Sequence, residues 1–282
     1  MLARRENRLN DLDGSQWLYW TDTLYITNFP PDATHPLRQR HGAMKPPELM
    51  AEIIRFFTKK GELVLDPFAG VGGTLIGADL TEREALGFEL NRCWVQIFEE
   101  IKSKYVIVNN KIVPRENAMT EEVRLLRSRM EEGDCLELIK GIGDETVDAV
   151  ITDPPYGCQH YLSGFKKETN FNMFNPAQEK DFGNAASFEM YFCLMADLGR
   201  EVWRVLKPGK YFILLIGDRY RNGEYIPLGF RVAETMREVG FRLKGVKIWC
   251  NQATRRPLRP YAVYQCFVPN ISHQNILILR KE

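Results

Sequence analysis

Leu63-Val64-Leu65-Asp66-Pro67-Phe68-Ala69-Gly70-Val71-Gly72-Gly73-Thr74 is an apolar run closed by a carboxylate, then a glycine-rich turn, then the helix-like stretch Leu75 to Leu80. Such a run reads as a short buried strand. Glycines between a strand and a helix let the backbone come close to a ligand, and the helix start offers unpaired N–H groups. The next apolar run, Glu84 to Phe88, ends in Glu89. An acid at the tip of the second strand is where nucleotide-binding α/β folds hold the two hydroxyls of a ribose. A glycine-rich turn alone is weak evidence, and Glu89 alone could be a solvated loop acid; together they are more specific.

A second strand-and-acid unit follows. Val147-Asp148-Ala149-Val150-Ile151 runs into Thr152-Asp153-Pro154-Pro155-Tyr156-Gly157. The bland reading is a strand end with a rigid turn. The chemical reading is a holder for a planar amine. Asp153 accepts one N–H, Pro154 and Pro155 fix the backbone so that a carbonyl stays aimed at the other N–H, and Tyr156 offers a face for a flat ring. The exocyclic amine of a nucleobase is a weak nucleophile because its lone pair is delocalised. Two acceptors on its hydrogens draw the nitrogen towards a tetrahedral, nucleophilic geometry.

On these motifs the chain resembles the S-adenosylmethionine-dependent DNA amino-methyltransferases of the adenine-N6 and cytosine-N4 family, the Asp-Pro-Pro-Tyr type. Asp66 to Thr74 resembles that family's cofactor loop, and Asp153-Pro154-Pro155-Tyr156 its catalytic tetrapeptide. Gly133-Asp134-Cys135 resembles the segment whose Asp contacts the cofactor's adenine. His41 to Pro47 resembles the His-x-x-x-Lys-Pro element ahead of the cofactor loop, and 267–278 resembles the last strands. The match runs from about residue 41 to the end. The resemblance implies a Rossmann-like methyltransferase fold of class α/β: a mostly parallel seven-stranded sheet, its last strand antiparallel, with helices on both faces. It implies S-adenosyl-L-methionine as cofactor and DNA as partner. It implies cofactor contacts from His41, Lys45, Pro46, Asp66, Pro67, Phe68, Gly70, Gly72, Thr74, Glu89, Asp134 and Cys135. Lys45 and Asp66 would line the methionine end, Glu89 the ribose and Asp134 the adenine.

Composition bounds the rest. A chain of 282 residues can bury a substantial core in one elaborated α/β domain. Its longest aliphatic run, Tyr211 to Ile216, is too short to span a bilayer. The start, with Arg4, Arg5 and Glu6, lacks the apolar stretch of a signal peptide, so a cytoplasmic location is expected. Six scattered cysteines form no Cys-x-x-Cys, and neither zinc nor any other metal is expected. The net charge is only +1, yet residues 199–282 carry 16 Lys and Arg against 6 Asp and Glu. That third is the expected phosphate-facing region. Arg255, Arg256 and Arg259, in a proline-interrupted loop near Trp249 and Tyr261, are its densest cluster. Any single arginine there could equally be a solvated helix face.

Residues 1–40 hold many aromatics without helical period and read as an arm that packs on the domain or a partner. Residues 41–282 read as a single catalytic domain. Within it, 105–133 is expected to be a charged, largely helical insertion. Residues 158–186, with Lys166 and Lys167, read as a long substrate-side loop that closes as a lid. No stretch is long enough for a separate target-recognition domain. Either the loops read a short site, or specificity is low, or a second copy or specificity subunit supplies it. Asp153 in the first tetrapeptide position favours adenine N6 in DNA, with cytosine N4 second and guanine N2 in tRNA third. A cofactor-binding subunit of a larger modification complex is the non-enzymatic alternative.

Overall fold

The structure is a computed structural model and describes residues 7–119, 122–158, 178–221, 223–254, 267 and 269–282. The helices are α1 (Gly14–Trp20), α2 (His35–Arg38), α3 (Pro47–Phe57), α4 (Gly73–Leu80), α5 (Arg92–Lys104), α6 (Cys135–Leu138), α7 (Phe188–Val205) and α8 (Leu228–Val239). The strands are β1 (Leu24–Thr27), β2 (Leu63–Asp66), β3 (Glu84–Glu89), β4 (Tyr105–Val108), β5 (Lys111–Pro114), β6 (Val123–Arg124) and β7 (Arg129–Glu132). They continue with β8 (Val147–Thr152), β9 (Leu206–Ile216), β10 (Arg219–Arg221), β11 (Glu224–Ile226), β12 (Arg242–Asn251) and β13 (Gln274–Arg280).

The central sheet runs β1-β12-β13-β9-β8-β2-β3-β7. β7, β3, β2, β8 and β9 are mutually parallel, and β13 lies antiparallel between β9 and β12. This is the expected Rossmann-like methyltransferase sheet with its antiparallel last strand. It has eight strands rather than seven, because the N-terminal arm adds β1, parallel to β12, at one edge. Alternate residues feed two cores. Ile213 and Leu215 of β9 face α3, α4 and α5; Phe212, Leu214 and Ile216 face α7 and α8. A sheet covered on both faces needs strands apolar throughout, and every residue of β8 is buried. Its one acid, Asp148, accepts from Leu63 N and pairs with Lys207 and Lys210.

The arm is held by aromatic packing and by amide bonds. Trp20 stacks on Phe56 at 4.7 Å, and the Lys247 ammonium lies 4.8 Å from the Trp20 ring. Asn251, at the end of β12, accepts from Phe29 N at 2.9 Å and donates to Phe29 O at 3.1 Å. Trp249 Nε1 donates to Thr27 Oγ1 at 2.9 Å.

The insertion is not helical. β4, β5 and β6 form a separate antiparallel sheet, with a single 3-10 turn over 115–117. Asn109 and Asn110 both take left-handed backbone (φ 51 and 58), which closes a two-residue hairpin whose twist matches its strands. The continuous apolar runs on either side pair across it, Val106 with Val113 and Ile107 with Ile112, and outweigh the helical reading of the charges that follow. Arg124 donates to the carbonyls of Asp79 and Leu80, at the C-terminal end of α4. Since α4 runs away from the glycine loop, this small sheet sits on the opposite rim, about 12 Å away along the helix, whereas the last part of the insertion is β7 of the central sheet, whose Glu132 pairs with Glu89.

Replacing Asn251 by Ala should leave the Phe29 N–H and C=O unsatisfied and loosen β1. A loss of about 1–3 kcal/mol is expected, read as a lower urea midpoint, with proteolysis beginning in the arm.

Candidate active site

β2 and β8 are parallel neighbours, so their carboxyl ends arrive side by side. β2 ends in Asp66, fully buried, and β8 ends in Thr152, whose hydroxyl donates to Asp66 Oδ1. Asp66 also accepts from Phe68 N at 3.0 Å and from the Thr74 side chain. Burial lifts its carboxyl to about 6, against these hydrogen bonds. One carboxylate thus ties the glycine loop, the helix start and the second strand together. At Gly72 the chain turns with φ +79 into α4, and a Cβ there would stand 2.3 Å from the Phe98 ring, so only glycine fits.

Glu89, at the end of β3, has each oxygen on one backbone N–H: Gly70 N at 2.9 Å and Asn91 N at 2.7 Å. Among the described residues no cation pairs with it. Burial raises its carboxyl to about 8, and the nearby Asp181 and Asp66 charges add to the rise. Its remaining lone pairs suit two hydroxyl donors, which is what a ribose presents. Asp134 caps α6 by accepting from Leu136 N at 3.0 Å, and Lys180 stands 3.4 Å from its other oxygen. Cys135, the first residue of α6, is buried, and burial pushes its thiol up. Phe68 meets Phe182 edge to face at 5.0 Å. The described end of the 158–186 loop therefore packs over Phe68 and Asp134, on the glycine-loop side. His41 donates Nδ1–H to Ala43 O at 2.8 Å and packs edge-on against Trp94. Burial lowers its imidazole to about 4, so it is neutral, with Nε2 close to Gly70. The ribose-ready acid, the capped Asp134, the aromatic pair and the neutral His41 fit S-adenosyl-L-methionine.

Asp153 stands directly after β8. Tyr156 Oη donates to its Oδ1 at 2.5 Å, and the Lys45 ammonium donates to its Oδ2 and lies 3.0 Å from Tyr156 Oη. Lys45 also lies 5.4 Å from the centre of the Tyr156 ring. Lys45, which the resemblance places at the methionine end, thus also reaches Asp153, and Tyr156, expected as a stacking face, also donates to it. Lys45 reaches Asp153 because Pro46 opens α3 beside β8 and the buried Arg38 clamps its backbone. Arg38 donates to the Lys45 carbonyl and to Asp32.

Several residues that hold the site carry no local sequence signal. Gly217, at the end of β9, lies under the Tyr156 ring, where a Cβ would be 2.9 Å from Cε2. Tyr191 Oη and Gly157 N both donate to the Pro155 carbonyl. Arg219 donates to Tyr156 O at 2.8 Å. Each reaches the tetrapeptide from a distant element, so only the fold reveals it. Lys166, Lys167, Arg255, Arg256 and Arg259 lie outside the described residues.

The DNA methylase family model for N6/N4 methyltransferases matches residues 3–100 and 147–282. The chain belongs to this DNA methylase family. The match takes in the N-terminal arm and lapses over 101–146, a stretch that holds the insertion and also Asp134, Cys135 and α6. The DNA methylase family depends on S-adenosyl-L-methionine, which is the cofactor of this chain. Among curated proteins, the chain is 28% identical over 128 residues to the Type II methyltransferase M.MthZI of Methanothermobacter thermautotrophicus, covering 45% of this chain and 35% of that one. It is 30% identical over 133 residues to a tRNA (guanine(10)-N2)-dimethyltransferase of the same species, covering 47% and 33%. The chain thus spans about a third of the length of these curated relatives. Among solved structures, TTHA0409 of Thermus thermophilus, a putative DNA modification methylase complexed with S-adenosyl-L-methionine, is similar with a TM-score of 0.37, 24% identity and 52% and 53% of the two chains covered.

Glu89 holds a proton up to about pH 8 in the cofactor-free protein, and ribose hydroxyls donate best to its ionised form. S-adenosyl-L-methionine should therefore bind more tightly as pH rises towards 8 and level off above it. Calorimetric titration should show that slope flattened in Glu89→Gln. For the free protein the sign is opposite. A folded carboxyl raised above its unfolded value loses stability as pH rises through this window.

Proposed function

We propose that the chain transfers a methyl group from S-adenosyl-L-methionine to the exocyclic amine of a base in DNA, with adenine N6 as the target atom. The observation that carries this reading is the position of Asp153. A doubly oriented carboxylate stands one residue beyond the strand whose end is hydrogen-bonded to the cofactor loop.

The chain's own groups have definite tasks in this reaction. Bound against Asp66, Glu89 and Asp134, S-adenosyl-L-methionine supplies an electrophilic methyl. Lys45 and Tyr156 each donate to one Asp153 oxygen, so the carboxyl group is fixed in plane, with lone pairs left for an incoming N–H. The Pro155 carbonyl is already taken by Gly157 and Tyr191, which leaves the Pro154 carbonyl for the second N–H. Acceptors on both hydrogens release the nitrogen lone pair towards the methyl. As it takes the methyl, whose bond to the sulfonium sulfur would break to leave a neutral thioether, the amine would become acidic and pass its proton to Asp153. No covalent link to the protein is required. Holding amine and methyl donor in line can remove roughly 7–11 kcal/mol of barrier, which exceeds the few kcal/mol needed to take the base out of a duplex.

The similarity to a tRNA guanine-N2 enzyme supports a second reading, methyl transfer to guanine in tRNA. Asp in the first tetrapeptide position serves both amines, so the substrate decides. Labelled S-adenosyl-L-methionine should be offered with duplex DNA, single-stranded DNA and bulk tRNA, followed by nucleoside mass spectrometry. N6-methyladenine from DNA, lost in Asp153→Ala, is the expected result. Label in cytosine N4 or in tRNA guanine alone would overturn the adenine assignment, and no label with any substrate would point to a missing partner subunit.

Two further variants probe the scaffold of Asp153. Lys45→Met removes one of its two oriented donors and should lower kcat by about 10²-fold, with cofactor affinity held within about twofold. Gly217→Ala drives a methyl into the Tyr156 ring. Overpacking of about 1–3 kcal/mol should tilt the ring off Asp153 and depress kcat more than thermal stability.

A further inference from the structure

Beside the catalytic tetrapeptide lies a basic and aromatic surface that neither the cofactor site nor Asp153 uses. β9 runs directly into the hairpin of β10 and β11, and Asp218 pins that hairpin in place. Its carboxylate accepts from Gly229 N at 2.9 Å, from Tyr225 Oη at 2.5 Å and from Asn275 Nδ2 at 3.2 Å. The acid is thus consumed internally, while Arg221 donates to Cys158 Sγ at 3.1 Å. Arg219 grips the backbone on both sides of Gly157, at Tyr156 O and Cys158 O. Next to it, Arg221 lies 5.7 Å from the Phe188 ring. Phe188 stacks on Phe192 at 6.4 Å, one turn along α7. Arg231, on the first turn of α8, lies 4.3 Å from the Phe192 ring. The line reads Arg221, Phe188, Phe192, Arg231, and it begins beside the Gly157 turn.

Arg221, Phe188 and Phe192 are half-buried, and the line opens to solvent at its α8 end. Arg231 is exposed, and its neighbour Phe230 is 64% exposed with no core to fill. Two acids adjoin the line: Glu224 pairs across the hairpin with Arg221, and Glu189 sits at the start of its own helix, where its own backbone N–H, the Ser187 hydroxyl and the Arg231 charge lower its carboxyl. A guanidinium lying on an aromatic face keeps its N–H groups outward and in plane, the geometry that grips a phosphate. Rings between such cations offer stacking for bases whatever their sequence.

We propose that this strip carries the DNA strand that flanks the target base, with Arg221 and Arg231 on phosphates and Phe230 against an unstacked base. This rests on the reading of the chain as a DNA base methyltransferase.

The test is fluorescence anisotropy of the full chain with labelled single-stranded and duplex DNA, from about 50 to about 200 mM salt. The double variant Phe230→Ala, Arg231→Ala is compared with wild type; both side chains are exposed, so folding is spared. DNA affinity should fall by roughly tenfold, and the slope of log Kd against log salt should drop by about one. S-adenosyl-L-methionine affinity and the melting temperature should not move. Arg231→Lys should keep the salt slope while recovering only part of the affinity. Unchanged affinity and slope in the double variant, with wild type binding DNA, overturns the strip alone. A wild type that binds no DNA at any salt overturns the strip and the DNA reading together, so the wild-type titration separates the two failures.

Discussion

The hydrogen bond from Thr152 to the buried carboxylate of Asp66 is the constraint on which the site depends. It joins the ends of two adjacent parallel strands, one feeding the glycine loop and the other the catalytic tetrapeptide. Parallel neighbours in an α/β sheet deliver their carboxyl ends to one rim, where ligands of such folds bind. Asp66 converts that shared rim into a fixed spacing. A carboxylate buried there is costly, and its acidity is weakened accordingly, to about 6. Phe68 N, Thr74 and Thr152 offset the cost because each is already required where it stands.

The same logic of oriented donors runs outward from it. Glu89 receives two backbone N–H groups and no cation among the described residues, so its carboxyl rises to about 8 and waits for donors from a ligand. Asp153, by contrast, receives the Lys45 ammonium and the Tyr156 hydroxyl, which keep it aimed. Two acids on one rim thus have different partners because different elements face them. The first tunes ligand affinity and the second suits proton acceptance.

The peripheral additions divide by rim. The arm supplies an edge strand and, through Arg38, the clamp that sets the Lys45 backbone, so it is structural to the site. The hairpin after β9 and the first turns of α7 and α8 stand on the catalytic rim and carry the arginine and aromatic strip. The small sheet of the insertion stands on the opposite rim, where it covers the C-terminal end of α4.

The order of strands and helices was legible in the sequence, because apolar runs of four to six residues alternating with amphipathic helices leave few other arrangements. Asp66, Glu89 and Asp153 were legible as strand-end acids, since a carboxylate closing an apolar strand has no packing reason to be there. The hairpin of the insertion was equally legible at Asn109-Asn110, a turn between two apolar runs that the charged stretch from Arg115 onward overshadowed. What the sequence could not reveal was pairing across distance. Lys45 meets Asp153 from 108 residues away, Gly217 makes room for the Tyr156 ring, and Arg219 grips the loop beyond it. Local pattern determines which face of an element is buried and where it ends. Only the closed tertiary packing decides which ends meet, because a side chain's partner depends on sheet order and register and not on its neighbours in the chain.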